Sequence, residues 1–170
     1  MSHAQPLVRI PIGIVIERRK AKSAWADFVW RPVAVLPAVP EAAAWTALNG
    51  SADRVNFYGG AAEIELHHSD AAGYCKNLAT ATALLWVALR PTGHEPPYEI
   101  AAVTAEPSEG EAFTENATDI VESVPMPEPV RAVIAGFVAE HHAEHPFVKR
   151  ERDRADPEVM ARHVLARDRK

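Results

Sequence analysis

The clearest β-strand pattern in the chain is Leu7-Val-Arg-Ile-Pro-Ile-Gly-Ile-Val-Ile-Glu-Arg-Arg19. Apolar residues recur at every second position from Val8 to Ile16, and this period buries one face of a strand while leaving the other free. A basic run at 18–22 follows, and the aromatic segment Trp25-Ala-Asp-Phe-Val-Trp-Arg-Pro32 then leads into a second apolar strand at 33–36. This part of the chain indicates a β-rich fold and carries no catalytic signature.

The middle of the chain predicts short elements joined by turns. Residues 41–48 favour a short helix, and residues 55–66 favour a hairpin with Gly59-Gly60 at its turn, because glycine supplies the positive φ that such turns require. Ser69 or Asp70 can cap a short helix that reaches Leu78. The remaining predictions are strands at 83–89 and 98–105, the first covered on both faces, and a short helix at 108–115.

The clearest helix is predicted at residues 129–143. Pro129 suits a first helical turn, the apolar residues from Val130 to Val138 follow the spacing of one helix face, and Pro146 ends the segment. A weaker helix is predicted at 158–169. Together, these elements predict an α+β fold with a mostly antiparallel, curled or barrel-like sheet of about six strands and a long C-terminal helix.

Composition predicts one domain over residues 1–148 and a basic tail over 149–170 that is mobile or weakly helical. The chain has 170 residues, 48% of them hydrophobic, which is enough for one core. The tail holds eight basic and five acidic residues, so the preceding body has a net charge of −8. An acidic body repels phosphate, and we therefore expect no nucleic-acid partner.

The sequence also predicts a cytoplasmic protein. The N-terminus lacks the pattern of a signal peptide, and no apolar run approaches the ~20 residues that span a bilayer, so we expect no membrane partner. The edge strands of a small open sheet can pair with a second copy of the chain, so a homodimer stays an alternative.

Histidines and the single cysteine are weak candidates for chemistry. His67 and His68 are adjacent on a predicted strand and point to opposite faces, while His141 and His145 do not form the H-E-x-x-H pattern of zinc proteases. Cys75 excludes an intramolecular disulfide, and no nucleophile elbow or phosphate-binding loop occurs. We therefore expect no enzyme, no cofactor and no metal site.

The basic and aromatic residues around the first turn are the best functional candidates. Guanidinium groups stack on aromatic rings, and Trp and Arg often anchor protein interfaces. Two readings stay open, since Phe28 and the tryptophans can fill the core or form an interface, and different rings can do each. The candidate partner-binding residues here are Arg18, Arg19, Trp25, Trp30 and Arg31.

Three segments together resemble an uncharacterised proteobacterial family, a domain of unknown function. They are Pro11–Arg19 with Trp25–Pro37, Glu65–His68 with Tyr74 and Asn77-Leu78, and residues 120–150, which end in Phe147-Val-Lys-Arg150. This chain has Ile16-Glu-Arg-Arg where the family pattern is V-E-R-R. Members are commonly encoded beside a molybdenum-dependent formate dehydrogenase, a redox-enzyme chaperone and ferredoxin-like proteins.

The resemblance implies a cytoplasmic accessory or maturation factor that binds formate dehydrogenase or its chaperone. No catalytic residue follows from it, because the family has no established reaction. Under this hypothesis the contact surface also includes the arm residues Phe147, Lys149 and Arg150. The alternative is a small-molecule or metal-binding protein that uses the sheet interior or the histidines.

Overall fold

The computed structural model describes residues 5–142, whose strands form two antiparallel sheets. The four-stranded sheet has the order β2-β1-β4-β3, and the three-stranded sheet has the order β6-β5-β7. The strands are β1 Val8–Lys20, β2 Phe28–Leu36, β3 Thr46–Gly50, β4 Arg54–Leu66, β5 Leu84–Pro91, β6 Tyr98–Thr104 and β7 Ile120–Pro125. The helices are α1 Ala71–Leu78, α2 Pro107–Ala112 and α3 Glu128–His141, with 3-10 turns at His68–Asp70 and Phe113–Glu115.

This architecture confirms a mixed, antiparallel fold and corrects two details. The described residues hold seven strands in two sheets and form no closed barrel. β2 lies beside β7, and β4 beside β6, but the sheets meet through side chains instead of a continuous ladder. The C-terminal helix is also shorter than predicted, with 14 residues, because His142 leaves the helical conformation at φ −93° and ψ 91°. The predicted tail and the helix at 158–169 lie outside the described residues.

One hydrophobic core joins the two sheets. Ile12, Ile14 and Ile16 of β1 are fully buried in it together with the equally buried alternate residues of β5, Leu85, Val87 and Leu89. β1 is covered more completely than its alternation predicts, since every residue from Ile12 to Glu17 is buried. The central position of β1, between β2 and β4, accounts for this cover.

Gly59 and Gly60 lie inside β4, so the predicted hairpin at 55–66 is wrong. β4 runs unbroken from Arg54 to Leu66, and its register against β1 shifts between Ile14 and Val15. Gly60 has φ +126°, and a Cβ on Gly59 would collide with the side chain of Ile16. A β-bulge needs the same conformational freedom as a tight turn, which is why the glycine pair indicated a turn.

The predicted helix at 41–48 is also wrong. Residues Thr46–Gly50 pair with β4 as an edge strand, and Trp45 immediately before them has φ +69°. Its ring packs against Trp30 and Phe57. Strand pairing and aromatic packing thus override the local preference for a helix.

The helices α1 and α3 pack together beside the Val8 end of β1. Tyr74 of α1 contacts Phe137 of α3, and its hydroxyl bonds to the backbone beside Leu66, which pairs with Val8. The opposite end of β1, at Lys20, continues into the turn that leads to β2. No helix within residues 5–142 is long and apolar enough to cross a membrane.

Candidate functional site

The turn between β1 and β2 concentrates basic charge and an exposed tryptophan. Residues 18–22 contain four basic residues and no acidic one. The backbone N–H of Ala21 donates to the carbonyl of Asp27 at 2.9 Å, which closes the loop. Trp25 stands in this loop with 96% of its surface exposed. We call residues 18–30 the hairpin end.

A cluster of four aromatic rings lies beside the hairpin end. The Trp30 ring centre is 5.7 Å from Trp45, 5.9 Å from Phe57 and 6.0 Å from Tyr98. Trp30 is half-buried and packs against the hydrophobic core. Trp30 therefore packs against the core, whereas Trp25 lies in solvent, where it stays a candidate for partner contact.

Arg18 covers this cluster from the solvent side. It pairs directly with Trp30 in the antiparallel register, so both side chains project from the same face of the sheet. Its guanidinium carbon lies 4.5 Å from the ring centre of Phe28, 5.4 Å from that of Phe57 and 5.9 Å from that of Trp30. These distances are those of cation–π contacts.

An open groove of about 460 Å³ separates β2 from the turn between β5 and β6. Phe28 and Trp30 form one wall, and the other wall belongs to the segment Pro91–Tyr98. Phe28 remains 41% exposed, although Arg18 lies over its ring. We call this space the aromatic groove. Its walls combine aromatic rings with the polar side chains of His94 and Glu95, and Arg18 lies over the Phe28 edge.

Arg31 projects from the opposite face of the sheet and is held by a buried carboxylate. Glu17 is 5% exposed, and its two oxygens lie 3.1 Å from Nε of Arg31 and 3.3 Å from Nε of Arg54. Glu17 pairs with Arg31 in the register between β1 and β2. Arg31 thus joins β1 to β2 and stands apart from the aromatic groove.

Arg19 also projects from that opposite face. With Lys20, Lys22 and Val29, Arg19 lines a separate depression of about 500 Å³ at the hairpin end, and Lys20, which pairs with Phe28 across the strands, also borders the wall of the aromatic groove. Val29 is 44% exposed. The predicted partner-binding residues therefore divide between two faces of the same hairpin.

The structure brings Arg18, Trp30 and Trp25 to one end of the molecule. It adds residues that the sequence reading missed, namely Trp45, Phe57 and Tyr98. Tyr98 is distant in sequence, and no local pattern connects it to the hairpin end. The predicted arm residues Phe147, Lys149 and Arg150 lie outside the described residues.

A second, polar depression of about 250 Å³ contains carboxylates that already have partners. Glu63 and Glu65 lie 3.6 and 3.5 Å from the guanidinium of Arg9. Glu109 accepts a hydrogen bond from the hydroxyl of Thr104. These pairs tie β1 to β4 and β6 to α2, which indicates a structural role.

His67, His68, His141 and His142 lie at or beside helix ends, whereas His94 lies in the turn between β5 and β6. His68 and His141 have ring centres 5.7 Å apart, and His141 packs on Phe137 at 4.4 Å. In the described part of the chain, no three His, Cys, Asp or Glu side chains are placed to hold a metal ion. Cys75 of α1 is a free, partly buried thiol.

Three pKa shifts belong to structural groups, namely Tyr74 and the ion pair of Arg90 with Asp119. Burial raises the pKa of Tyr74 to about 12, and the nearby Asp70 carboxylate adds to the rise. Hydrogen bonds from Arg90 hold the pKa of Asp119 below its usual value, and the same contact raises the pKa of Arg90. None of these groups lines the aromatic groove.

A family profile described as "Protein of unknown function (DUF3305)" matches residues 11–151. The chain belongs to this family. The matched region contains all seven strands and the three helices of the described fold, apart from the first residues of β1. Neither a curated protein nor a solved structure matches the chain.

Proposed function

We propose that this DUF3305 chain is a non-enzymatic accessory protein that binds another protein through its hairpin end. The observation that carries the proposal is the exposure of Trp25 and Phe28, 96% and 41%, beside a basic run and the aromatic groove. Exposed aromatic and arginine side chains in one patch are typical of protein interfaces. Burying the apolar surface of Trp25 against a partner is favourable by about 25 cal/mol per Å².

The division of the arginines supports this choice of surface. Arg31 and Arg54 are bound to Glu17, so their guanidinium groups already have a carboxylate. Within residues 5–142, Arg18 forms no ion pair, and its guanidinium group contacts aromatic rings. Its hydrogen-bond donors therefore remain available on the solvent side. We therefore assign Arg18 and Trp25 to partner contact and Arg31 to support of the sheet.

We propose formate dehydrogenase, or a protein that assembles it, as the partner, in the cytoplasm. The support is the resemblance drawn from the sequence, which implies that related chains are encoded beside that molybdoenzyme. The role is then to hold a partner during maturation.

The test is affinity capture of the tagged full-length protein from its native organism, grown with and without formate, followed by mass spectrometry. We expect formate dehydrogenase subunits or their chaperone in the eluate with the wild-type protein. The variant Trp25→Ala should recover much less of them, whereas Val133→Ala, on the exposed side of α3, should recover the wild-type amount. Capture without any molybdoenzyme protein, or equal capture by both variants, contradicts the proposal.

A further inference from the structure

We infer that the aromatic groove binds an extended, acidic segment of the partner that places an apolar side chain between Phe28 and the β5–β6 turn. This inference rests on the proposed function, because it names the chemistry that the same surface recognises.

The charge of the hairpin end differs in sign from that of the whole chain. The chain carries a net charge of −5, yet residues 18–22 hold four basic residues in succession with only Ala21 between them. Within residues 5–142, the arginines that form ion pairs are Arg9, Arg31, Arg54 and Arg90. The four basic residues of the hairpin end form no such pair in that range, and Asp27 is the one acidic residue among residues 18–30, so an incoming carboxylate meets a local excess of positive charge.

Two of these basic residues lie on the face that carries the groove wall. Lys20 pairs directly with Phe28, and Arg18 pairs with Trp30. Residues two apart on a strand project from the same face, so Arg18 and Lys20 flank the wall together. In a ligand with an acidic residue next to an apolar one, the carboxylate therefore meets a cation while the apolar side chain contacts an aromatic ring.

The shape of the site admits an extended chain segment. The groove has two walls from separate elements, β2 and the β5–β6 turn, and an open top. A single side chain of an extended peptide can enter such a space while its neighbours contact the rim.

The chain's own tail is a poor occupant. Residues 149–170 carry eight basic and five acidic residues, and like charges at the basic rim repel. The occupant is therefore a segment of another protein. Glu95 lies on the far wall and repels an acidic ligand. Reversal of its charge should therefore strengthen binding, whereas reversal of the charge of Lys20 should weaken it.

The experiment measures binding of fluorescein-labelled peptides to the full-length protein by fluorescence anisotropy. Extended peptides of about ten residues reach about 33 Å, which is enough to cross the groove and its rim. The probes are an acidic peptide with one central Phe, the same peptide with Ala in place of Phe, and a third in which Lys replaces every acidic residue. Anionic and neutral phospholipid vesicles are tested in parallel.

We expect the acidic Phe peptide to bind at least about tenfold more tightly than either other peptide, and more weakly at high salt. Lys20→Glu should weaken its binding about tenfold, and Glu95→Lys should tighten it several-fold. Lys76→Glu, a matched charge reversal of an exposed lysine on α1, should leave it unchanged. A merely structural role for these residues predicts no such opposite shifts.

Equal binding of acidic and basic peptides, equal effects of the Lys20 and Lys76 reversals, or binding only to anionic vesicles overturns the inference. These outcomes are separable from failure of the proposed function. If Trp25→Ala still abolishes capture of the partner while the peptides show no preference, the surface binds the partner by other chemistry. If Trp25→Ala leaves capture intact, the proposed function itself fails.

Discussion

The guanidinium carbon of Arg18 lies 4.5 Å from the centre of the Phe28 ring. This contact joins the basic run of β1 to the aromatic wall of β2, across a strand pair that also places Lys20 opposite Phe28. A partner that binds at the hairpin end therefore meets charge and apolar surface in one fixed arrangement.

A double-mutant cycle on Arg18→Ala and Phe28→Ala measures this contact. We expect a coupling in the free energy of unfolding of about 0.5–1 kcal/mol, the usual size of an exposed cation–π contact. Urea denaturation of the four proteins gives the value. The matched cycle with Arg19→Ala and Phe28→Ala should give a coupling near zero, since Arg19 projects from the other face. Equal coupling in the two cycles contradicts the assigned faces.

Glu17→Gln should destabilise the protein by about 1–3 kcal/mol, because two arginines lose a buried, charged acceptor. The control is Glu63→Gln, since Glu63 also pairs with an arginine but its side chain is 50% exposed. That variant should change the free energy of unfolding by less than about 1 kcal/mol. Chemical denaturation measures the free energy of unfolding of both variants. Similar decreases in the two variants would contradict the role of burial at Glu17.

Tyr74 should make the protein lose stability at high pH. Its pKa rises from 10.0 to about 12 in the folded state because the neutral hydroxyl is favoured when buried. Between these two values the unfolded chain binds fewer protons than the folded one, so the free energy of unfolding falls as pH rises. The total fall attributable to Tyr74 is about 2–3 kcal/mol.

The measurement compares urea denaturation of wild type and Tyr74→Phe from pH 9 upward. The phenylalanine variant lacks the titrating hydroxyl, so the difference between the two proteins should shrink or reverse above pH 10. Circular dichroism at each pH verifies a folded baseline. A constant difference across this range contradicts the assigned cause.

Gly110→Ala should destabilise the protein by about 1–3 kcal/mol, because a methyl group there would collide with the Trp86 ring. Gly136→Ala is the matched control on α3, where a Cβ meets nothing within 4 Å. That variant should stabilise the protein by about 0.5–1 kcal/mol through helix propensity. Thermal and urea melts of the two variants should therefore shift in opposite directions, and a shift of the same sign contradicts the packing at Gly110.

Local patterns in the sequence predicted the elements that depend on local chemistry. The alternation from Val8 to Ile16 gave β1, and the apolar spacing after Pro129 gave α3 to within two residues at its end. Both patterns show which face of an element is buried, but they do not show which other element covers that face. The antiparallel class followed from short connections between strands.

Features that depend on distant partners were not predictable in this way. Gly59-Gly60 suits a turn or a bulge equally, and only pairing with β1 selects the bulge. Trp45 takes φ +69° because β4 and the Trp30 ring hold it there. The sequence indicated that Arg18 and Trp30 belong to one surface, but the wall containing Tyr98 arises from the packing of two sheets.

Site-specific photocrosslinking in the native organism tests the location of the binding surface most directly. A benzophenone amino acid replaces Trp25 in one strain and Val133, which is 44% exposed on α3, in a second strain. We expect crosslinks from position 25 to a formate dehydrogenase subunit or one of its assembly proteins, and none from position 133. Crosslinks to such a protein from position 133 alone would contradict the assignment of the hairpin end as the partner-binding surface.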